Sequence, residues 1–327
     1  MIYIVLFLLS FILTYVIKNY AIKHTLIAEV NERSSHTIPT PHGGGVAIAI
    51  TWFLGLSYLF YFNEIESSLY YALMCGAIIA ILGYVDDIVD LGSRIRFFVQ
   101  LFVALWGLYL LGGLHYLDFG FFRLENQYIV NLVAIIGIIW SINLYNFIDG
   151  IDGYAGSEAV FLGFAGYTLF GGTHFLVLIV TVLGFLLWNW HKAKIFMGDV
   201  GSTFLGYTVA IFTIYYSNVE ATNMWIWLVL FSLFWFDATV TLFRRYKNGE
   251  KLSQAHKKHA YQRLNQQGWK PNKIVKFSIM INILLCGLVY FIPNIYLVFF
   301  ISMFLMFTIL KYIDIQCNLK SFPNDKS

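Results

Sequence analysis

Eleven apolar segments recur along the chain, most of them close to the roughly 20 residues that a helix needs to cross a bilayer. Of the 327 residues, 59% are hydrophobic and only 12% are charged, whereas soluble globular proteins carry about 25% charged residues. The mean hydropathy is +0.70. These features predict one all-α polytopic membrane domain with about 11 transmembrane helices. The predicted spans are 2–17, 45–62, 68–84, 97–113, 129–145, 157–171, 174–190, 203–217, 223–241, 275–292 and 295–311.

The first apolar segment differs from a secretory signal peptide. It lacks a basic region before the apolar core, and its first positive charge, Lys18, follows that core. We therefore expect a first transmembrane helix whose N-terminus lies outside the cytoplasm.

The positive charges give the same orientation. With the N-terminus periplasmic and eleven spans, 20 of the 21 Lys and Arg residues fall on the cytoplasmic side, and only Arg123 falls outside. This distribution predicts a multi-pass membrane protein with a cytoplasmic C-terminus. Residues 1–312 then form a single integral-membrane domain, and 313–327 form a cytoplasmic tail. The predicted cytoplasmic loops are 18–44, 85–96, 143–156, 191–202 and 242–274.

The motifs able to carry chemistry all fall in these cytoplasmic loops, whereas the outward loops hold nothing comparable. The inward motifs read NERSSHTIPTPHGGG, DDIVDLGSRIR, NLYNFIDGIDG, HKAKIFMGDVGS and AHKKHAYQR. Their convergence at one membrane face predicts an active site that faces the cytoplasm.

The motif DDIVD places three carboxylates within five positions. Asp86 and Asp90 are four residues apart and would share a helix face, with Asp87 beside them. Carboxylates crowded next to hydrocarbon are costly unless a cation neutralises them, and Mg²⁺ commonly bridges carboxylates to substrate phosphates. The alternative is a solvated helix end whose charges pair with Arg94 and Arg96.

The motif NLYNFIDGIDG spaces four polar residues three apart: Asn143, Asn146, Asp149 and Asp152. On a helix end this spacing predicts one slowly rotating polar stripe. The two glycines of the motif would then end the helix and permit close backbone approach.

The motif FMGDVGS places Asp199 between glycines just before an apolar segment. Backbone N–H groups at Gly201 and Ser202 could receive a phosphate at a helix N-terminus. A simple turn with an Asp or Ser N-cap explains the motif equally well.

The motif AHKKHAYQR suits a polyphosphate ligand by its charge. It collects His256, Lys257, Lys258, His259 and Arg263. A basic loop lying against anionic lipid headgroups is the alternative.

Taken together and in this order, the motifs from about Pro39 to Gln262 resemble the polyprenyl-phosphate N-acetylhexosamine-1-phosphate transferase family. This family includes initiating enzymes of O-antigen and teichoic acid synthesis and the phospho-MurNAc-pentapeptide translocase. The resemblance implies transfer of a sugar-1-phosphate from a UDP-sugar to undecaprenyl phosphate, with UMP as the second product. It also implies Mg²⁺ as cofactor, with Mn²⁺ as a substitute.

The resemblance further implies roles for individual residues. Asp86 would act as a base or orient a phosphate, while Asp87 and Asp199 would hold the metal. Phe196 would stack on the uracil, and the cytoplasmic histidines would bind the diphosphate. The residues expected to be catalytic are Asp86, Asp87, Asp149 and Asp152. Those expected to bind substrate are Asn143, Asn146, Phe196, Arg94, Arg96, His256, His259 and Arg263.

The histidine motif departs from branches of the family that pack their histidines closely. Its sequence, HKKHAYQ, resembles enzymes that start O-antigen synthesis with UDP-activated deoxy or amino sugars such as N-acetylfucosamine or N-acetylquinovosamine. The expected partners are a UDP-N-acetylamino sugar, undecaprenyl phosphate and membrane lipids, with no nucleic acid. A homodimer is left open.

Two other classes of protein compete with this interpretation. A Mg²⁺-dependent membrane prenyltransferase also uses DDxxD-like motifs, but it would need neither FMGD nor the basic histidine loop. A transporter would place its acidic residues near the membrane midplane, whereas these motifs gather at one face.

Overall fold

Helices form nearly all of the apolar sequence in the structure, a computed structural model that describes residues 1–24, 27–28, 39–252 and 256–317. The first seven helices are α1 (Ile2–Lys23), α2 (Gly45–Tyr61), α3 (Ser67–Met74), α4 (Gly76–Val89), α5 (Ser93–Leu110), α6 (Gln127–Ile148) and α7 (Tyr154–Phe170). The next seven are α8 (Thr173–Asn189), α9 (Asp199–Val219), α10 (Asn223–Leu230), α11 (Ser232–Lys247), α12 (Ala260–Gln266), α13 (Pro271–Phe291) and α14 (Ile295–Gln316). Four two-residue strands complete the elements: β1 (Ile27–Ala28) pairs antiparallel with β2 (Thr40–Pro41), and β3 (Leu117–Asp118) with β4 (Arg123–Leu124).

Each of the eleven predicted apolar segments is helical, which confirms the all-α class. Two of the segments are interrupted. The third is divided at Cys75 between α3 and α4, and the ninth at Phe231 between α10 and α11, which are bent by 73° relative to each other. The short helix α12 lies in the predicted loop 242–274, where the sequence pattern gave no sign of it.

Length and composition identify fewer membrane spans than apolar segments. Five of the described helices are long and apolar enough to cross a membrane, α3 and α4 together make a sixth span, and α10 and α11 make a seventh if they count as one. Helices α2 and α8 have 17 residues each, short of the usual ~20. A multi-pass membrane protein is therefore supported, while eleven spans and the direction of the termini stay predictions.

Helix α9 occupies the centre of the bundle, because almost all of its side chains are buried. Small residues bring its neighbours close, as is usual between membrane helices. Gly83 on α4 lies against the first peptide of α9, where an added Cβ would stand only 2.6 Å from the Asp199 carbonyl. On the other side, Ser141 Oγ of α6 donates to the Gly206 carbonyl at 2.7 Å.

The helices extend further than the apolar segments at several ends, so the predicted cytoplasmic loops are shorter than expected. Helix α4 continues to Val89 and α6 to Ile148, because polar residues at a membrane surface can keep helical hydrogen bonds. Helix α14 continues to Gln316, so the predicted tail 313–327 begins within a helix. Residues 318–327 lie outside the described part of the chain. The polar motifs therefore lie largely on helix ends.

A buried polar pair connects α7 to α13. Asn282 Nδ2 donates to Glu158 Oε2 at 2.6 Å, and both side chains are almost fully buried. Among the described residues, neither Glu158 Oε1 nor Asn282 Oδ1 has a hydrogen-bond partner. Glu158 and Asn282 are therefore held to each other by a single hydrogen bond.

We expect N282L to destabilise the protein by about 1–3 kcal/mol, because a buried acidic group would lose its donor. E158Q is the matched control, since the Gln carbonyl can still accept from Asn282. Thermal unfolding in detergent micelles measures both variants. Equal unfolding temperatures for N282L and the wild type would show that the pair contributes nothing.

Candidate active site

The carboxylate of Asp87 joins α4 to the N-terminus of α9. Asp87 Oδ1 accepts from Asp199 N at 3.0 Å, and Oδ2 lies 3.4 Å from Val200 N. The close contact at Gly83 brings α4 near enough for this interaction. A carboxylate in this place satisfies exposed N–H groups of the helix and opposes its positive end. Asp87 thereby brings Asp199 next to the acidic end of α4.

The N-terminus of α9 differs from the expected phosphate site. The N–H groups of Gly201 and Ser202 both donate to the Gly198 carbonyl within the first turn. With Asp87 holding the two preceding N–H groups, the helix end is already occupied by a protein carboxylate. The expectation that Gly201 and Ser202 offer their N–H groups to a phosphate is therefore wrong in this structure.

Asp86 is buried and held by two donors. Arg96 Nη1 donates to Asp86 Oδ2 at 2.8 Å, and Leu91 N donates to Oδ1 at 2.7 Å. The same Arg96 nitrogen lies 4.0 Å from Asp199 Oδ2, and 38% of its side chain is exposed. Asp86 therefore orients a guanidinium group toward the site.

Asp90 and Arg94 point away from this arrangement. Asp90 follows the last residue of α4 in a left-handed conformation (φ 49°) and is exposed, so the predicted face shared with Asp86 does not exist. Arg94 is exposed, and no described residue forms an ion pair with it. A substrate-binding role for Arg94 stays a prediction.

The ladder from Asn143 to Asp152 does not form a single stripe, because α6 ends at Ile148 before the two acids. Gly153 then adopts a left-handed conformation (φ 76°) at the start of α7, as the sequence predicted for a helix break. The four polar side chains therefore turn toward different neighbours.

The neighbours of the two asparagines lie on α5 and α9. Asn143 Nδ2 donates to Gln100 Oε1 of α5 at 2.8 Å. Asn146 Nδ2 lies 3.2 Å from Asp199 Oδ2, and its Oδ1 accepts from Ser202 Oγ at 2.9 Å.

Asp152 interacts with the segment before α9. Its Oδ2 accepts from Ala193 N at 3.1 Å and lies 3.1 Å from His191 Nδ1. Asp152 therefore connects the α6–α7 loop to the α8–α9 loop. Its catalytic role stays a prediction.

Asp149 lies at the centre of the remaining negative charge. Burial, followed by the charges of Asp199, Asp87 and Asp152, raises the pKa of Asp149 to about 7. The charges of the neighbouring carboxylates therefore oppose the ionisation of Asp149, and a cation near them would relieve this repulsion.

The donor set suits a cation that shares its ligands with a substrate. Among the described residues, no three His, Cys, Asp or Glu side chains form a metal cluster by themselves. Mg²⁺ usually takes one or two carboxylates and completes its shell with water and substrate phosphates. Asp199 fits this requirement, because 31% of its side chain is exposed beside Arg96. Asp87 fits less well, because both of its oxygens already accept from α9.

Phe196 belongs to a stretch of backbone that pairs with the start of α2. Phe196 N donates to the Pro41 carbonyl at 2.8 Å, and its carbonyl accepts from Gly44 N at 2.9 Å. The ring is half-buried. Uracil stacking by Phe196 stays a prediction.

The histidine segment, residues 256–259, leads directly into α12, whose Tyr261 contacts the end of α6 near Asp149. The rings of His256 and His259 are 4.8 Å apart. Burial, followed by the positive charges of His259, Arg245 and Lys258, lowers the pKa of His256 to about 3. His256 is therefore neutral near pH 7 and adds no positive charge for a diphosphate.

Basic residues in and around this segment have acidic partners within the chain. Lys258 Nζ lies 2.9 Å from Glu250 Oε1, and Arg245 Nε lies 2.9 Å from Glu250 Oε2. Arg263, only 3% exposed, donates to Asp314 Oδ1. The segment is thus less cationic than its sequence suggests, and diphosphate binding by His256, His259 and Arg263 stays a prediction.

Several site residues were missed by the sequence analysis. Gln100 and Ser202 each bond an asparagine of the ladder. Ser202 lies in a motif already noted, but Gln100 is a single polar residue within an apolar span and could have been suspected on that ground. The acids Glu250 and Asp314 had no motif around them.

Known proteins resemble this chain along nearly its full length. A protein of Bacillus subtilis (strain 168) named "Probable undecaprenyl-phosphate N-acetylglucosaminyl 1-phosphate transferase" is 30% identical over 340 residues, covering 99% of this chain and 92% of the relative. An undecaprenyl-phosphate alpha-N-acetylglucosaminyl 1-phosphate transferase of Yersinia pestis is 30% identical over 295 residues, covering 82% and 77%. Its namesake in Thermotoga maritima is 27% identical over 282 residues, covering 85% and 87%.

The matching family model agrees with these relatives. Residues 69–217 match the model described as Glycosyl transferase family 4, and this region contains the acidic end of α4, the ladder and Asp199. The chain therefore belongs to glycosyl transferase family 4, as a member of the polyprenyl-phosphate N-acetylhexosamine-1-phosphate transferases.

Proposed function

We propose that this protein transfers an N-acetylamino-sugar-1-phosphate from a UDP-sugar to undecaprenyl phosphate. The products are undecaprenyl-diphospho-sugar and UMP. The observation that carries the proposal is the meeting of Asp87, Asp199 and Arg96 at one end of a membrane helix bundle. The names of the relatives supply the class of acceptor and sugar.

The chemistry requires an oxygen of the lipid phosphate to attack the β-phosphorus of the UDP-sugar. The bond from that phosphorus to the bridging oxygen breaks, and UMP leaves with the electron pair. Asp86 and Asp87 each accept two hydrogen bonds or ion-pair contacts, which makes both poor nucleophiles. This supports a single displacement over a route through an aspartyl-phosphate.

The protein's own groups hold the reacting phosphates in this proposal. Arg96, oriented by Asp86, offers a guanidinium group to the diphosphate. Asp199, with Asn146 at its side, would hold Mg²⁺ or Mn²⁺. Asp149 adds negative charge to the same region, since the charge of Asp199 raises the pKa of Asp149. The metal, when bound, neutralises phosphate charge and favours in-line attack.

The lipid substrate needs an apolar path that ends near these groups. A mostly apolar cleft lies between α7, α11, α12, α13 and α14. Tyr261 lines the cleft and also donates to the Phe147 carbonyl, two residues before Asp149. This cleft supports a membrane-embedded acceptor beside the acidic site.

The cellular setting follows from the chemistry. UDP-sugars are cytosolic, so we place the site at the cytoplasmic face of the bacterial inner membrane, in agreement with the positive charges there. The product would start an O-antigen or another cell-envelope polysaccharide. The relatives' names favour N-acetylglucosamine as the donor sugar, with deoxy-N-acetylamino sugars as competitors.

Purified protein should release UMP from a UDP-N-acetylamino sugar only when undecaprenyl phosphate and Mg²⁺ are both present. A panel of UDP-sugars, including N-acetylglucosamine, N-acetylgalactosamine, N-acetylfucosamine and N-acetylquinovosamine, identifies the donor. Absence of UMP release with every donor would refute the proposed function, whereas incorporation of a prenyl group would favour a prenyltransferase.

D199N and D87N should each reduce kcat by about 100-fold or more, the loss seen when one preorganised electrostatic group is removed. D199N removes a metal carboxylate, and D87N weakens the contact that places it. D90N is the matched control, because Asp90 is exposed and Asn tolerates its left-handed conformation. Full activity of D199N would show that Asp199 is not part of the active site.

The crowding around Asp149 gives a dependence of stability on pH. Its pKa rises from 3.8 to about 7 on folding, so ionising it costs folding free energy. The contribution of Asp149 to the free energy of unfolding is therefore highest below pH 3.8, declines as the pH rises toward about 7, and stays low above that. Without metal, D149N should unfold at a higher temperature than the wild type at pH 8, with a smaller difference at pH 5.

Adding Mg²⁺ at pH 8 should then raise the unfolding temperature of the wild type more than that of D149N. A D149N protein that is less stable than the wild type at pH 8 without metal would contradict the charge crowding.

A further inference from the structure

The seven-residue helix α12 lies between the acidic site and the C-terminal helix α14. On the site side, Tyr261 Oη donates to the Phe147 carbonyl at 3.1 Å and lies directly against Gly150. A side chain at Gly150 would collide with the Tyr261 phenol. Helix α12 therefore contacts the backbone on both sides of Asp149.

The start of α12 is held from α11. Both carboxylate oxygens of Asp237 lie 3.0 Å from Ala260 N, and Thr241 Oγ1 donates to Asp237 at 3.1 Å. His259, the residue before the helix, lies 3.8 Å from the same carboxylate. The position of α12 therefore also determines the position of the histidine segment.

The opposite side of α12 is held by Asp314 of α14. Arg263 Nη1 donates to Asp314 Oδ1, and Arg244 of α11 makes a two-pronged contact with both oxygens at 3.1 and 2.9 Å. One carboxylate thus connects three helices through two guanidinium groups. Two-pronged contacts of this kind fix geometry as well as charge.

A helix as short as α12 cannot hold its position alone, because isolated helices shorter than ~12–15 residues are marginal. Its place depends on contacts at Tyr261, at Asp237 and at Asp314. The third comes from the C-terminal helix α14, 51 residues beyond Arg263 and outside every motif noted in the sequence.

We propose that Asp314 is a positioning residue for the transfer reaction, acting through Arg263 to hold α12 and the histidine segment against the acidic site. The inference rests on the proposed function, because the reaction that it supports is the one proposed above. Asp314 itself contacts neither substrate nor reacting atoms.

D314A should raise the KM for the UDP-sugar about tenfold, the size expected when hydrogen-bonded charged groups lose their partner, with a smaller change in kcat. A purely structural defect would instead lower the active fraction, which reduces apparent kcat and leaves KM unchanged. D314E should recover most of the wild-type KM, and D314N, which keeps the shape, should fall between. R263A and D314A together should raise KM no further than either substitution alone.

D118A is the matched control. Asp118 also accepts from an arginine and a second side chain, Arg123 Nε at 2.8 Å and Tyr296 Oη at 3.0 Å, but near the start of α14 rather than its end. Its KM should equal that of the wild type. An unchanged KM in D314A and D314N, with active wild type, would overturn the role of Asp314 and leave the proposed function intact.

Hydrogen–deuterium exchange tests the positioning without relying on activity. D314N should increase exchange in residues 256–266 and 147–153, and D118A should not. Unchanged exchange in both segments would overturn the inference even if the wild type proved inactive on UDP-sugars, a result that would count against the proposed function alone.

Discussion

The contact between the Asp87 carboxylate and the first N–H groups of α9 is the interaction on which the site depends. It works over a short distance, so it requires α4 and α9 to touch at Gly83, where no side chain would fit. Burial of α9 in the centre of the bundle then transmits this placement to α6, whose Asn146 meets Asp199. The packing of these membrane helices therefore also assembles the site. Small residues let α4 and α9 touch, and the Asp87 carboxylate fixes where they meet.

The acidic residues divide into two groups by their partners. Asp86, Asp87 and Asp152 accept from donors of the protein, and each holds another part of the chain: Arg96, the start of α9 and the 191–193 stretch. Asp149 and Asp199 carry the remaining negative charge, and the charge of Asp199 raises the pKa of Asp149. The number of acidic residues in a motif thus overstates how many can act on a substrate, because some serve to hold the others.

Apolar length predicted the helices well, since burial in lipid forces each such segment to satisfy its own backbone hydrogen bonds. The three-residue spacing wrongly predicted that Asp149 and Asp152 continue the polar face of a helix, because α6 ends at Ile148 and the helical period ends with it. The interruption at Cys75 had no proline to mark it. The partners of Arg263 and Lys258 could not be predicted either, because local patterns do not report contacts in space. Asp314 lies 51 residues beyond Arg263 in the sequence but contacts it, and Glu250 contacts Lys258.

The placement of polar residues on helix ends has a consequence for how such an enzyme can diversify. The acids of α4 and α9 are held by packing inside the membrane bundle, whereas the histidine segment and α12 form a separately braced unit on its rim. Substitutions in that unit can therefore alter the rim while the carboxylates of α4 and α9 keep their contact. In the proposed function, donor selectivity and phosphoryl transfer would then be open to separate change, provided that the contacts at Asp237 and Asp314 are retained.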